Sequence, residues 1–205
     1  MTISKDRLHA DLDALAARVP EIGAVIAAKG YPEPRCRDPG YETLLRTIVG
    51  QQVSVKAAAA IWTRVAEALG EPTSPDAALA LSVEELRAAG LSRQKASYVH
   101  SLAEHCADGR LDLHALPAED EAAIAKLVDV KGIGRWSAEV YLLFAEGRCD
   151  IWPAGDLAVR IALGEVLGLK DRPTEGETRK LTEAWSPYRG AAAILMWHHY
   201  NTEVF

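Results

Sequence analysis

The chain has 205 residues, enough for one sizeable core or two small lobes sharing one, and its 49% hydrophobic and 25% charged residues are those of an ordinary globular protein. No apolar run reaches ~18 residues, which excludes a membrane-spanning helix, and three widely separated cysteines, Cys36, Cys106 and Cys149, make neither a disulfide framework nor a metal-ligand spacing. The net charge of −6 lacks the general basicity of most nucleic-acid-binding domains, without excluding a local basic face.

The pattern predicts helices nearly throughout. Ser4 to Val19 places Leu8, Leu12, Leu15, Ala16 and Val19 at a 3.6-residue period. The N-terminus leads into this amphipathic stretch and not into a signal peptide, so a cytoplasmic location is expected. Pro20 opens a short helix that Gly30 closes. Tyr31 to Gly40 holds three prolines and reads as a loop. Tyr41–Val49 and Val53–Leu69 follow as helices, broken near Gly50. Ser82-Val-Glu-Glu85 is a capping box for a helix ending at Gly90. Ser92 to Ala107 is stopped by Gly109, and Pro117 to Asp129 and Arg135 to Glu146 form a helix pair about a tight bend. Asp156 to Leu167 comes next, then a helix capped by Thr174 and Glu177, and a last one from Pro187 to about Tyr200. No strand pattern or repeat stands out.

The stretch with most chemistry in it begins Leu127-Val-Asp-Val-Lys-Gly-Ile-Gly-Arg-Trp136 and ends Ile151-Trp-Pro-Ala-Gly-Asp156. Glycine lets the Lys131-Gly132-Ile133-Gly134 bend take unusual dihedrals and bring its backbone close to another molecule. The unpaired amides at the start of the next helix carry the positive end of its dipole, a site for an anion such as a nucleic-acid phosphate. A lone carboxylate, Asp156, stands just before another helix. By itself Asp followed by Leu-Ala-Val-Arg is an ordinary N-cap, a role compatible with a chemical one.

These residues resemble the helix-hairpin-helix DNA glycosylases, and within them the 3-methyladenine DNA glycosylase II group. The resemblance extends to Ile48-Val-Gly-Gln-Gln-Val-Ser-Val-Lys56, Gly90-Leu-Ser-Arg-Gln-Lys95, Pro187-Tyr-Arg-Gly190 and Trp197, so it covers nearly the whole chain. It implies an all-α, two-lobed helical fold with a cleft between lobes. Residues 1–40 and 151–205 would form one lobe. Residues 41–150 would form the other and carry the hairpin at about 119–146. The extra N-terminal β-sheet domain of larger relatives is not expected in a chain this short.

The resemblance implies that Asp156 is the catalytic residue, stabilising the sugar cation that develops as the base leaves and orienting the attacking water. Where strand-cutting relatives carry a Schiff-base lysine, two places after the second hairpin glycine, this chain has Trp136. That predicts a monofunctional enzyme with no lyase activity. Trp136, Trp197 and Tyr41 are candidates for the base pocket, where an aromatic face attracts a positively charged alkylated purine; plain packing is the competing role, preferred for Trp62 and Trp185. Gly132, Gly134, Lys131, Arg135 and Lys95 are candidate DNA contacts, as part of a local basic face with Lys56 and Arg93. Gln52 and Leu91 are candidate wedges that fill the gap an everted base leaves. Arg189 would buttress the site or bind phosphate. The resemblance also places a monovalent cation, K⁺ or Na⁺, on the backbone carbonyls of Val128, Val130 and Ile133. No cofactor is required, and no iron–sulfur cluster is expected, because four closely spaced C-terminal cysteines are lacking. The expected partner is double-stranded DNA with a damaged base, met by a monomer away from any membrane. Two alternatives stay open: a non-catalytic DNA-damage binding protein, and a glycosylase for deaminated or etheno bases.

Overall fold

The computed structural model of the protein describes residues 3–200; Met1, Thr2 and residues 201–205, the outer ends of the expected N/C-terminal lobe, lie outside the described residues. The described chain is helical, with no strand. It forms two compact units: residues up to Arg37 together with those from Leu142 onward, and Asp38–Tyr141. The second division falls inside a hairpin helix rather than after it.

The first unit contains α1 (Lys5–Ala16), α2 (Pro20–Lys29), α10 (Leu157–Val166), α11 (Glu175–Leu181), a 3-10 turn (Glu183–Trp185) and α12 (Arg189–Tyr200). Ser4 starts α1 by accepting the amide of Arg7 at 3.2 Å. Leu8, Leu12 and Leu15 bury the face of α1 that the period marks. α12 is buried from Gly190 to Trp197, all the way round, which makes it the central helix of this unit. α1, α2 and α10 pack on it. Gly190 allows the closest approach: a Cβ there would lie 2.5 Å from the carbonyl oxygen of Cys149, to which its own amide donates at 2.8 Å.

The second unit runs through α3 (Tyr41–Gly50), α4 (Val55–Leu69), α5 (Pro75–Ala80), α6 (Val83–Ala88), α7 (Arg93–Ala107), α8 (Asp120–Val128) and the start of α9 (Arg135–Phe144). Its core is Leu44, Leu45 and Ile48 from α3, Leu86 from α6, Val99 and Leu102 from α7, and Leu127 from α8. Ser54, Ser74, Ser82 and Ser92 cap the starts of α4, α5, α6 and α7. The capping box at Ser82 is complete, with Glu85 returning a bond to the Ser82 amide at 2.8 Å.

Three local expectations need correction. α8 starts at Asp120 and not at Pro117, because Glu119 still has the extended dihedrals of a cap (φ −71°, ψ 127°) and Asp120 and Glu121 supply the acidic first turn. The last helix begins at Arg189, after Tyr188 has closed a bond to Trp185 at 2.9 Å. α4 starts at Val55 and not at Val53, because Ser54 is its cap and accepts the Ala57 amide at 3.2 Å. The hydrophobic period alone did not mark α5 or the 3-10 turn, which are too short to show one.

Candidate active site and nucleic-acid interface

The hairpin is built from both sides of its bend. Leu127 and Ile124 hold α8 to the core, and Val130 and Ile133, 0% and 3% exposed, pin the bend itself. The Ile133 amide donates to the carbonyl of Val130 at 3.0 Å. Gly132 has φ +95°, and a Cβ there would stand 2.3 Å from ring carbons of Tyr98 on α7. The chain's own packing therefore demands glycine. At Gly134 the situation differs: a Cβ would meet none of the described residues within 4 Å. The backbone on either side of Gly132 is held by neighbours, since the Lys131 amide donates to Ser101 Oγ at 3.1 Å and the Gly132 carbonyl accepts from Gln51 Nε2 at 2.8 Å. The Lys131 side chain is exposed.

Arg135 does not offer the expected DNA-facing cation. Its Nε donates to Glu139 at 2.9 Å, one turn along α9, and its terminal nitrogens grip Glu121 on α8. Glu139 is 2% exposed, so the guanidinium compensates a buried carboxylate. The hydrogen bond that Arg135 donates to Glu121, above all, holds the guanidinium even more firmly protonated than usual, against the opposing effect of burial. The residue braces the two hairpin helices. The i,i+4 spacing of Arg135 and Glu139 was visible in the sequence; the pairing with Glu121 was not.

The Gln51–Gln52 turn joins α3 to α4. Gln51 leaves α3 with ψ 132°, and Gln52 then takes φ +54°, a left-handed conformation costing a non-glycine residue about 1–2 kcal/mol. Gln52 is exposed, as a wedge must be. Lys95 is half-buried and its ammonium donates to the carbonyl of Val49 at 2.7 Å, at the end of α3; burial lowers its pKa. It supports the turn rather than projecting as a free DNA contact. Leu91 is 4% exposed and its amide bonds to Leu86 at 3.2 Å, so its side chain belongs to the core of its unit and is not available as a wedge. The Gly90 turn before it is packed on Arg64, whose Nε donates to the carbonyl of Ala89 at 3.0 Å.

In the first unit, Asp156 caps α10. Its backbone is extended (φ −71°, ψ 125°) and Oδ1 accepts the Val159 amide at 2.9 Å. The residue is 9% exposed. Trp152, on the approach to Asp156, is 3% exposed and meets Trp185 edge-on at 5.9 Å. Arg189 serves as a buttress: two of its nitrogens hold the carboxylate of Asp150 at 2.9 and 2.7 Å, and Ser186 Oγ adds a bond at 2.7 Å. Burial alone would push the Asp150 carboxyl up, yet the bonds from Arg189 and Ser186 outweigh it and hold the group below its ordinary range. Asp150 carried no sequence signal.

The three aromatic candidates differ in exposure. Trp136, in the first turn of α9, and Tyr41, at the start of α3, are half-buried. The Tyr41 hydroxyl has no hydrogen-bond partner, and burial raises its pKa. Trp197 is fully enclosed on α12, its ring tilted 36° on Phe144 at 5.4 Å and its Nε1 without an acceptor. It could touch a base only after neighbours move. Trp62 packs instead under Arg46, whose guanidinium carbon is 4.2 Å from the ring centre.

No group of three metal-ligating side chains occurs among the described residues. The hairpin carbonyls are a separate matter. That of Val130 accepts from Ile133, while those of Val128 and Ile133 receive none of the backbone bonds found outside helices among the described residues. Cys36, Cys106 and Cys149 are free thiols. None of the described helices is long and apolar enough to cross a membrane.

Comparison with known proteins agrees with this arrangement. Residues 45–187 match the model of the HhH-GPD superfamily of base excision DNA repair proteins. The chain is 34% identical over 161 residues to DNA-3-methyladenine glycosylase 1 of Schizosaccharomyces pombe, covering 77% of this chain and 71% of that protein. A solved DNA-3-methyladenine glycosidase from Bacillus halodurans superposes with TM-score 0.83 at 31% identity, covering 94% of this chain and 89% of the other. The S. pombe glycosylase Mag1 in complex with abasic DNA superposes with TM-score 0.80 at 29% identity, covering 92% and 95%. The chain belongs to the HhH-GPD superfamily of base excision DNA repair proteins.

Proposed function

We propose that the protein is a monofunctional DNA glycosylase that hydrolyses the N-glycosidic bond of alkylated purines such as 3-methyladenine and 7-methylguanine in double-stranded DNA. The observation that carries this is the carboxylate of Asp156, fixed at the N-terminus of α10 by the Val159 amide at 2.9 Å. The hairpin adds the phosphate anchor: α9 begins beyond Gly134, where a side chain would find open space. The names of the relatives point to the same chemistry.

A base carrying formal positive charge leaves readily. The C1′–N bond breaks with its electron pair going to the base, which becomes neutral. Asp156 stabilises the cationic sugar and orients a water, whose oxygen bonds C1′ and whose proton passes to the carboxylate or to solvent. Trp136 stands where a lyase would need an amine, so the strand stays intact. Trp136 and Tyr41 supply aromatic surface for the charged base. Gln52 fills the vacated stack. The carbonyls of Val128, Val130 and Ile133 would be the groups to hold a K⁺ or Na⁺ at the bend. The protein acts on DNA as a monomer.

Substitution of Asp156 by Asn tests the assignment. Base release should fall by at least about a thousandfold, with affinity for a duplex containing an abasic-site analogue kept. Activity close to that of the unaltered protein would remove Asp156 from the chemistry.

A further inference from the structure

Two elements that would grip DNA lie in the same unit, and one side chain joins them. Gln51 Nε2 donates to the carbonyl of Gly132 at 2.8 Å, across 81 positions of sequence. Gly132 is the bend of the hairpin, and Gln51 immediately precedes Gln52, the exposed residue held at φ +54°. A left-handed non-glycine residue persists only where its surroundings over-determine it. Here the surroundings are two side-chain bonds. Lys95 fixes the carbonyl of Val49 on one side, and Gln51 is tied to the hairpin on the other.

We propose that Gln51 is a positioning residue that couples the Gln52 turn to the phosphate-anchoring bend, so that seating the hairpin on the backbone aims Gln52 at the base stack. Gln51 itself is half-buried and leaves contact with bases to its exposed neighbour. The amide has the two features this needs: reach, and a donor for a carbonyl. Glutamate has the same shape without the donor, and its charge repels the carbonyl oxygen.

The test uses the whole chain in four forms besides the unaltered one: Gln51→Glu, Gln51→Ala, Gln52→Ala, and Gln51→Ala with Gln52→Ala. The DNA is a duplex with a tetrahydrofuran abasic-site analogue beside 2-aminopurine, whose fluorescence rises when it unstacks. Both Gln51 variants should stay folded, with a melting temperature lower by no more than about 2–6 °C, and bind undamaged duplex within about twofold of the unaltered protein. Their fluorescence rise at saturation should be several-fold smaller. Single-turnover release of 7-methylguanine should lose about tenfold in its limiting rate with little change in half-saturating protein, a size ordinary for coupled neighbours. In the Gln52→Ala background the same Gln51 change should add less than about twofold, because the route it acts through is gone. Unstacking as in the unaltered protein, effects that multiply in the double variant, or an equal loss of affinity for undamaged duplex would each overturn the coupling. Only the base-release arm rests on the proposed glycosylase activity. An unaltered protein that unstacks 2-aminopurine but frees no base would sink that activity and leave the coupling standing.

Discussion

Gly132 and Gly134 stand two residues apart and answer to different demands. Gly132 is required by the fold: φ is +95° and Tyr98 occupies the space of a side chain. Gly132→Ala should cost at least about 2 kcal/mol, read from chemical denaturation. Gly134 has no such constraint, so Gly134→Ala should leave stability unchanged or raise it by about 0.4–1 kcal/mol. It should nevertheless weaken duplex binding about tenfold, since a methyl group then occupies room a phosphate needs beside the amides of α9. Equal binding by the two forms would remove Gly134 from the interface. Gln52 offers the complementary case. Gln52→Gly relieves the left-handed strain and should hold or raise stability by up to about 1 kcal/mol, while abolishing the wedge. A clear fall in stability would mean that the side chain, and not the backbone, holds that turn.

Among the elements, what the sequence revealed depended on how local the determining forces were. Ser82, Ser92, Asp156 and Thr174 all start helices where the pattern puts them, because a cap is settled within four residues. α5 escaped, although Ser74 and Pro75 are a proper start signal. Leu91 was a wedge candidate by resemblance, and Lys95 and Arg135 were part of a local basic face. The burial of Leu91 and the bonds of Lys95 and Arg135 to Val49 and Glu139 are set by tertiary packing, which the sequence did not show. Two ion pairs make this testable. Arg135→Ala removes the charged hydrogen bond to the buried Glu139 and should cost about 1–3 kcal/mol. The same variant should leave the salt dependence of DNA binding untouched, whereas Lys131→Ala should lower its slope by about one. Asp150 gives a pH dependence. Its folded pKa is depressed, so its contribution is complete above the ordinary carboxylate pKa and fades as pH falls through the folded value. Asp150→Asn should therefore lose about 1–2 kcal/mol at pH 7, and the difference should shrink below about pH 4. A difference that stays constant down to pH 2 would show that charge plays no part in it.

For the whole molecule, a net charge of −6 sits with DNA binding because much of the phosphate contact is assigned to backbone amides, with Lys131 as an exposed cation at the bend. All-helical architecture and family were legible because hairpin, Gly-Gln-Gln start and Asp156 each depend on short stretches of chain. The braces behind them, Glu121, Tyr98, Ser101 and Asp150, were not, since each depends on packing between segments distant in sequence. The most direct measurement incubates the protein with a duplex carrying a single 7-methylguanine and resolves both products, free base by mass spectrometry and the strand on a denaturing gel before and after alkali. Free 7-methylguanine with a strand that breaks only after alkali is the predicted result. No free base, or a strand already cut before alkali, would contradict it.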